Sequence, residues 1–150
     1  MTPHAAYMQT VGLESLDARY RVQSSNALEL ATRLQKVPQI KRVNYTGLPD
    51  NPFYEIAKRQ YGNTSGAMLT IDLADKASAI RFIDRLKVIH RASNLFDNRS
   101  LAIHTASTIF GTFSGSQRRA MDVLDTTIRI SVGLEHVDDL YEDIVQAVQE

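Results

Sequence analysis

The chain has 150 residues, with 17 basic and 17 acidic side chains, and contains no cysteine. That length fits one domain with a real core, the balanced charge without a basic run argues against nucleic acid, and the lack of cysteine excludes disulfides, thiolate metal sites and a cysteine nucleophile. The sequence shows no charged-then-apolar leader pattern and no apolar stretch of spanning length, so a soluble cytoplasmic protein without membrane contact is expected.

The first third reads as helix. Pro3 suits a first turn, Tyr7, Met8, Val11 and Tyr20 outline an apolar stripe, and Gly12 marks a point of interruption. Ala27, Leu30, Ala31 and Leu34 recur at i, i+3, i+4 and i+7, and Pro38 ends that helix. Residues 41–45 then read as a short strand, 47–52 as a turn-rich loop and 53–60 as a short helix. After a turn at 62–66, the stretch Met68 to Leu73 alternates, with Leu69, Ile71 and Leu73 on one face and Met68, Thr70 and Asp72 on the other. Residues 75–89 return to helix, with Ala79, Ile80, Ile83 and Leu86 toward the core. Leu101 to His104 reads as a third strand. The strongest strand is Thr127 to Val132, which points Ile128, Ile130 and Val132 inward and Thr127, Arg129 and Ser131 outward until Gly133 stops it. The last helix carries Val137, Leu140, Tyr141, Ile144, Val145 and Val148 at helical spacing, with Asp138 and Asp139 where the helix dipole favours negative charge.

These elements predict an α+β fold, an antiparallel sheet of about four strands with helices packed on one face. Residues 1–36 read as a helical segment and 37–150 as the α+β domain proper. The second sheet face is expected to show Thr127, Arg129, Ser131, Ala102, His104, Met68, Thr70 and Asp72, a mostly polar or small set open to water or a partner.

Little in the chain carries chemistry on its own. Residues 62–66 are better read as a plain turn than as a phosphate loop. His4, His90, His104 and His136 lack ligand-like spacing and read as surface or capping residues, so no metal is expected. No Gly-x-Ser-x-Gly elbow exists for a serine nucleophile. Arg129 is the exception, a cation in mid-strand between Ile128 and Ile130. It supports two readings. It is either an edge-strand arginine in water or a surface ion pair, or an anion receptor, since a guanidinium suits two-pronged carboxylate binding.

Around Arg129 the sequence acquires a resemblance. Arg129-Ile130-Ser131-Val132-Gly133, with Asp138-Asp139 opening the last helix, resembles the closing motif of the Cys/Met metabolism (transsulfuration) family of pyridoxal-phosphate (PLP) enzymes. Tyr45-Thr46-Gly47-Leu48 resembles that family's Tyr-Pro-Gly-Leu stretch, and Asn94 to Thr108 resembles its active-site loop and following strand. The first helices also look like the family's, with Gly12 to Leu16 and Asn26-Ala27 in step, so the likeness covers essentially the whole chain. Asn94, followed three residues on by Asp97, is most similar to the O-acetylhomoserine sulfhydrylase branch, where cystathionine synthases and lyases usually carry Ser-Leu-Gly.

The resemblance implies the small C-terminal domain of a fold-type I PLP enzyme acting on an amino-acid substrate. Arg129 would bind the substrate α-carboxylate, Asn94 would donate an amide hydrogen bond beside it, and Phe96 would belong to the substrate-binding loop. The likeness begins just after the point where the family places its Schiff-base lysine. None of Lys36, Lys41, Lys58, Lys76 and Lys87 has that lysine's context. The implied partner is therefore an N-terminal PLP domain, with the cofactor held by a homo-oligomeric full-length parent and none expected on this chain alone, which would not be a complete catalyst. Phe96 replaces the family's loop glycine, Thr105 its proline and Phe110 its closing histidine. Those departures keep open a cystathionine/methionine γ-lyase-type domain and a non-catalytic stand-alone binding module.

Overall fold

The alternating segments build a five-stranded sheet in the computed structural model, which describes residues 1–149. The strands are β1 (Arg42–Asn44), β2 (Met68–Asp72), β3 (His90–Arg91), β4 (Leu101–His104) and β5 (Thr127–Ser131), in the order β1-β2-β5-β4-β3. Neighbours run antiparallel except β3 and β4, which are parallel. The expected architecture thus holds with one strand more than the four anticipated. Two residues cannot display an alternation, so β3 leaves no periodic signal.

The helices are α1 (Pro3–Glu14), α2 (Leu16–Leu34), α3 (Tyr54–Tyr61), α4 (Lys76–Arg85), α5 (Gly115–Ala120) and α6 (Val137–Val148). Among the described residues no helix is long and apolar enough to cross a membrane. Helices α2, α4 and α6 bury one side of the sheet. Leu30 and Leu34 of α2, Phe82 and Ile83 of α4, and Leu140 and Ile144 of α6 join Leu69, Ile71, Ile128 and Ile130 in a single core cluster. The core therefore draws on residues either side of position 36. Asp75 caps α4 by accepting from the Ser78 amide at 2.7 Å, and α6 opens on His136 with Asp138 and Asp139 in its first turn.

Several local expectations are corrected. Tyr7, Met8 and Val11 form no core stripe: α1 buries no residue and all three side chains are exposed. The helix break falls at Ser15 rather than at Gly12. On α4, Ile80 is exposed and Phe82 is buried in its stead. The inward line of that helix runs through 79, 82, 83 and 86, and Ile80 lies about 100° further round.

Strand β4 faces the opposite way from its expected alternation. Ala102 pairs with Ile130 and His104 with Ile128, so both face the helices, while Leu101 and Ile103 pair with Ser131 and Arg129 on the second face. All four β4 residues are buried, so no polar alternation exists to fix the side, and a one-residue difference inverts every assignment. His104 is accordingly not a surface residue; it stands at the N-cap position of the 3-10 turn Thr105–Ser107, without a side-chain capping bond. It is buried, with Nδ1 2.7 Å from Ser107 Oγ and Nε2 2.8 Å from the Asp125 carbonyl oxygen.

The second face is less open than its composition implies. Asp72, Thr127, Ser131, Leu101 and Ile103 are all buried. Met68, Thr70 and Arg129 remain half-buried, beside exposed Arg42 and Asn44 at the β1 edge.

Candidate active-site face

The register places Arg129 in a row that runs Asn44, Thr70, Arg129, Ile103 across β1, β2, β5 and β4. Because β5 is flanked by β2 and β4, Arg129 is not an edge-strand residue. Among the described residues it makes no ion pair. Its Nη2 donates to Ser93 Oγ at 3.3 Å. Ile103 offers no polar group from β4. Burial disfavours the charged guanidinium and pulls its pKa below the ordinary value. The result is a half-buried cation without a counter-charge, on the wall of a shallow cavity of about 200 Å³ shared with Asn44, Thr46, Met68 and Thr70.

Ser93 opens the loop that carries the other two candidate residues. Asn94 is exposed, and its amide is engaged locally: Oδ1 accepts from the Leu95 amide at 2.9 Å and Nδ2 donates to Asp97 Oδ2 at 3.3 Å. The Arg99 amide donates to Asp97 Oδ1 at 3.1 Å and, with Asn94, holds the Asp97 carboxyl below the usual carboxylate range. Phe96 sits at φ 54°, a left-handed backbone that disfavours a bulky residue by about 1–2 kcal/mol. The family glycine that the sequence resemblance assigns to this position would adopt that conformation freely. The Phe96 ring does not line the Arg129 cavity. It lies 5.8 Å, centroid to centroid, from Tyr20 of α2, and shares a separate hollow with Leu16, Asp17 and Tyr20. Thus Arg129 reaches the residue next to Asn94, while Phe96 turns back to α2.

Behind the loop lies a set of anchors that sequence reasoning missed. Gln23 Nε2 of α2 donates to the Asp97 carbonyl oxygen at 2.7 Å, and the Leu134 amide donates to that of Asn98 at 2.9 Å. The Glu135 carboxylate accepts from the Ser100 amide at 2.6 Å and from Ser100 Oγ at 2.8 Å, while the Gly133 amide donates to Ser100 Oγ at 2.8 Å. One signal was available for Gln23. It precedes Ala27 by four residues on the stripe continued by Leu30, Ala31 and Leu34, and a buried amide on an apolar line needs a partner. Ser93 and Ser100 carry no such mark.

The chain matches the Cys/Met metabolism PLP-dependent enzyme family over residues 1–149. It belongs to that family. It is 39% identical over 147 residues to O-acetyl-L-homoserine sulfhydrylase 1 of Thermus thermophilus, covering 97% of this chain and 35% of that protein. It is 36% identical to the O-succinylhomoserine sulfhydrylase of Pseudomonas aeruginosa, over 99% of this chain and 37% of that protein. A solved Campylobacter jejuni structure, described as an O-acetylhomoserine (thiol)-lyase with pyridoxyl-lysine monophosphate, superposes with a TM-score of 0.96 at 34% identity, over 100% of this chain and 36% of that one. The chain therefore spans little more than a third of the length of these Cys/Met metabolism relatives. The family is PLP-dependent. All five lysines, Lys36, Lys41, Lys58, Lys76 and Lys87, are exposed, and none lines the Arg129 cavity.

Proposed function

We propose that this chain is the C-terminal, substrate-orienting domain of a PLP-dependent sulfur amino-acid enzyme of the O-acetylhomoserine sulfhydrylase kind, and that it does not complete the reaction alone. The observation that carries this reading is Arg129, a half-buried guanidinium on a central strand with Ser93 as its side-chain partner and no carboxylate at hand among the described residues. Two relatives named for sulfhydrylation of acylated homoserines support the choice of substrate class. PLP, held by the lysine-bearing part of the parent, supplies the electron sink for γ-substitution. The residues of this chain fix the substrate. Arg129 takes the α-carboxylate in a two-pronged, charge-assisted contact. Asn94 exchanges its long bond to Asp97 for an amide hydrogen bond to the same carboxylate. Together they hold the amino acid in one orientation, with its Cα–H bond aligned for transfer.

The test is Arg129→Ala and Arg129→Lys in the full-length parent, assayed with O-acetylhomoserine and sulfide. Arg129→Ala is expected to lower kcat/KM by about 100-fold or more, the scale of a lost charge-assisted pair of roughly 3 kcal/mol. Arg129→Lys recovers only part, because an ammonium lacks the planar fork. The melting temperature stays near wild type, since Arg129 lies outside the core cluster. A near-normal kcat/KM for Arg129→Ala, or unfolding as its main effect, removes the carboxylate role. Turnover of methionine alone in preference to the sulfhydrylation pair would assign the parent to elimination.

A further inference from the structure

We infer that Phe96 and Tyr20 form a latch that positions the Ser93–Asp97 bend beneath Arg129, and that Phe96 acts through Tyr20 rather than by touching substrate. The inference rests on the proposed carboxylate role of Arg129. Three observations carry it. The Phe96 backbone is left-handed, a conformation a phenylalanine keeps only where its surroundings fix it. Its ring is tilted 39° against Tyr20, with centroids 5.8 Å apart, inside the range of favourable aromatic pairs. Tyr20 is itself held, its hydroxyl donating to the Thr64 carbonyl oxygen at 3.1 Å, so the ring that Phe96 meets is tied to a second segment of the chain.

The consequence lies on the other side of the bend. Gln23, Leu134 and Glu135 secure residues 97, 98 and 100, but those bonds fasten only the exit of the loop. On its entry side, β3 is paired to β4 at His90 and Arg91 and Ser93 accepts from Arg129 at 3.3 Å, but the Asn94 bonds run only to Leu95 and Asp97 within the loop itself. Between them Phe96 is the one residue of the bend whose side chain meets α2 in an aromatic contact. The latch limits how far Ser93 and Asn94 swing relative to Arg129, and so sets the spacing in which a carboxylate is gripped. A glycine at 96 removes the backbone strain and the contact together.

The experiment is a double-mutant cycle in the full-length parent, with Phe96→Ala, Tyr20→Ala and the pair. Each single variant is expected to raise KM for the amino-acid substrate about fivefold with kcat within about twofold, the split that marks lost binding geometry. The double variant is expected to be no worse than either, because both remove one contact. Tyr20→Phe, which keeps the ring but drops the bond to Thr64, should raise KM less than Tyr20→Ala does. Phe96→Gly should melt higher than Phe96→Ala yet show the same raised KM, which separates positioning from stability. Hydrogen exchange of the peptide covering residues 93–97 should quicken in both single variants. Single effects that multiply to about 25-fold overturn the latch. So does a Phe96→Ala enzyme whose preference between O-acetyl- and O-succinylhomoserine shifts, since that places the ring against the acyl group. Arg129→Ala in the same series keeps the two inferences apart. A crippled Arg129→Ala enzyme beside multiplicative latch effects removes only the latch, whereas a near-normal one removes the carboxylate role beneath it.

Discussion

Gly133 shows how a single missing side chain shapes the site. A Cβ there would meet the Ser100 amide nitrogen at 2.5 Å, the Arg99 carbonyl carbon at 2.6 Å and the Glu135 carboxylate. Two of these are backbone, so the loop itself must move. Gly133→Ala is therefore expected to cost about 1–3 kcal/mol, the range for forcing atoms into a filled space, and to displace the anchored exit of the substrate loop. Gly12 is the internal control. It lies within α1, where an added Cβ would meet nothing within 4 Å, and Gly12→Ala should be neutral or stabilise by up to about 1 kcal/mol. Urea titrations of both variants measure the difference, and equal midpoints would mean that the loop yields freely at Gly133. At this scale the sequence was legible where a residue breaks its own pattern. Arg129 stands out between two isoleucines, and its place on a strand is as read. The functional conformations were not legible. Nothing local forecasts that Phe96 is left-handed, that Ser93 meets Arg129, or that Gly133 stands against Ser100, because each depends on segments about 30 or more residues apart, or on the turn that those segments force.

Among the elements, those with long apolar repeats were legible and those held by polar contacts were not. The inward faces of β2, β5 and α6 follow their periodicity, since each has enough turns or alternations to state a direction. By contrast β3 has two residues and exists because Asp143 of α6 grips the turn before it. Its buried carboxylate accepts from the backbone amides of Lys87, Val88 and Ile89, each at 2.9 Å. This arrests the chain after α4 and delivers His90 alongside Leu101 in the parallel pairing. The expectation of helix through residue 89 fails for that reason: Asp143 takes amides that a continuing helix would have given to its own carbonyls. Asp143→Ala leaves those donors without their acceptor and is expected to cost about 2–4 kcal/mol, at the upper end for buried polar deletions. Amide exchange at 87–89 should accelerate well beyond that of β5. If global stability falls while those three amides stay protected, the carboxylate is not what holds the turn.

At the scale of the whole molecule, the two long helices at the start of the chain divide in role. α2 belongs to the core: Ala27, Leu30, Ala31 and Leu34 are fully buried and cover the β1–β2 side of the sheet. α1 is the opposite case. It buries nothing, and Tyr7, Met8, Val11 and Leu13 are exposed. It is tied to α2 by Arg19, whose guanidinium reaches the Gly12 carbonyl oxygen at 2.9 Å in an exposed bond. Exposed bonds of this kind add little to stability, and a helix of 12 residues without a buried face is marginal by itself. Removing residues 1–14 should therefore leave the unfolding free energy of the remainder within about 0.5 kcal/mol of the intact chain, the usual range for changes away from packed features. Leu30→Ala, far into α2, should by contrast cost about 2–5 kcal/mol, because it empties a fully buried site. Chemical denaturation followed by circular dichroism and by Tyr fluorescence tests both, and coincident transitions would establish that α2 and the sheet unfold as one unit. A large loss on removing residues 1–14 would show α1 packed more tightly than its exposure allows. A small loss in Leu30→Ala would instead separate α2 from the sheet. That second result would also undercut the latch, since Tyr20 positions Phe96 only if α2 is rigidly part of the same body as Arg129.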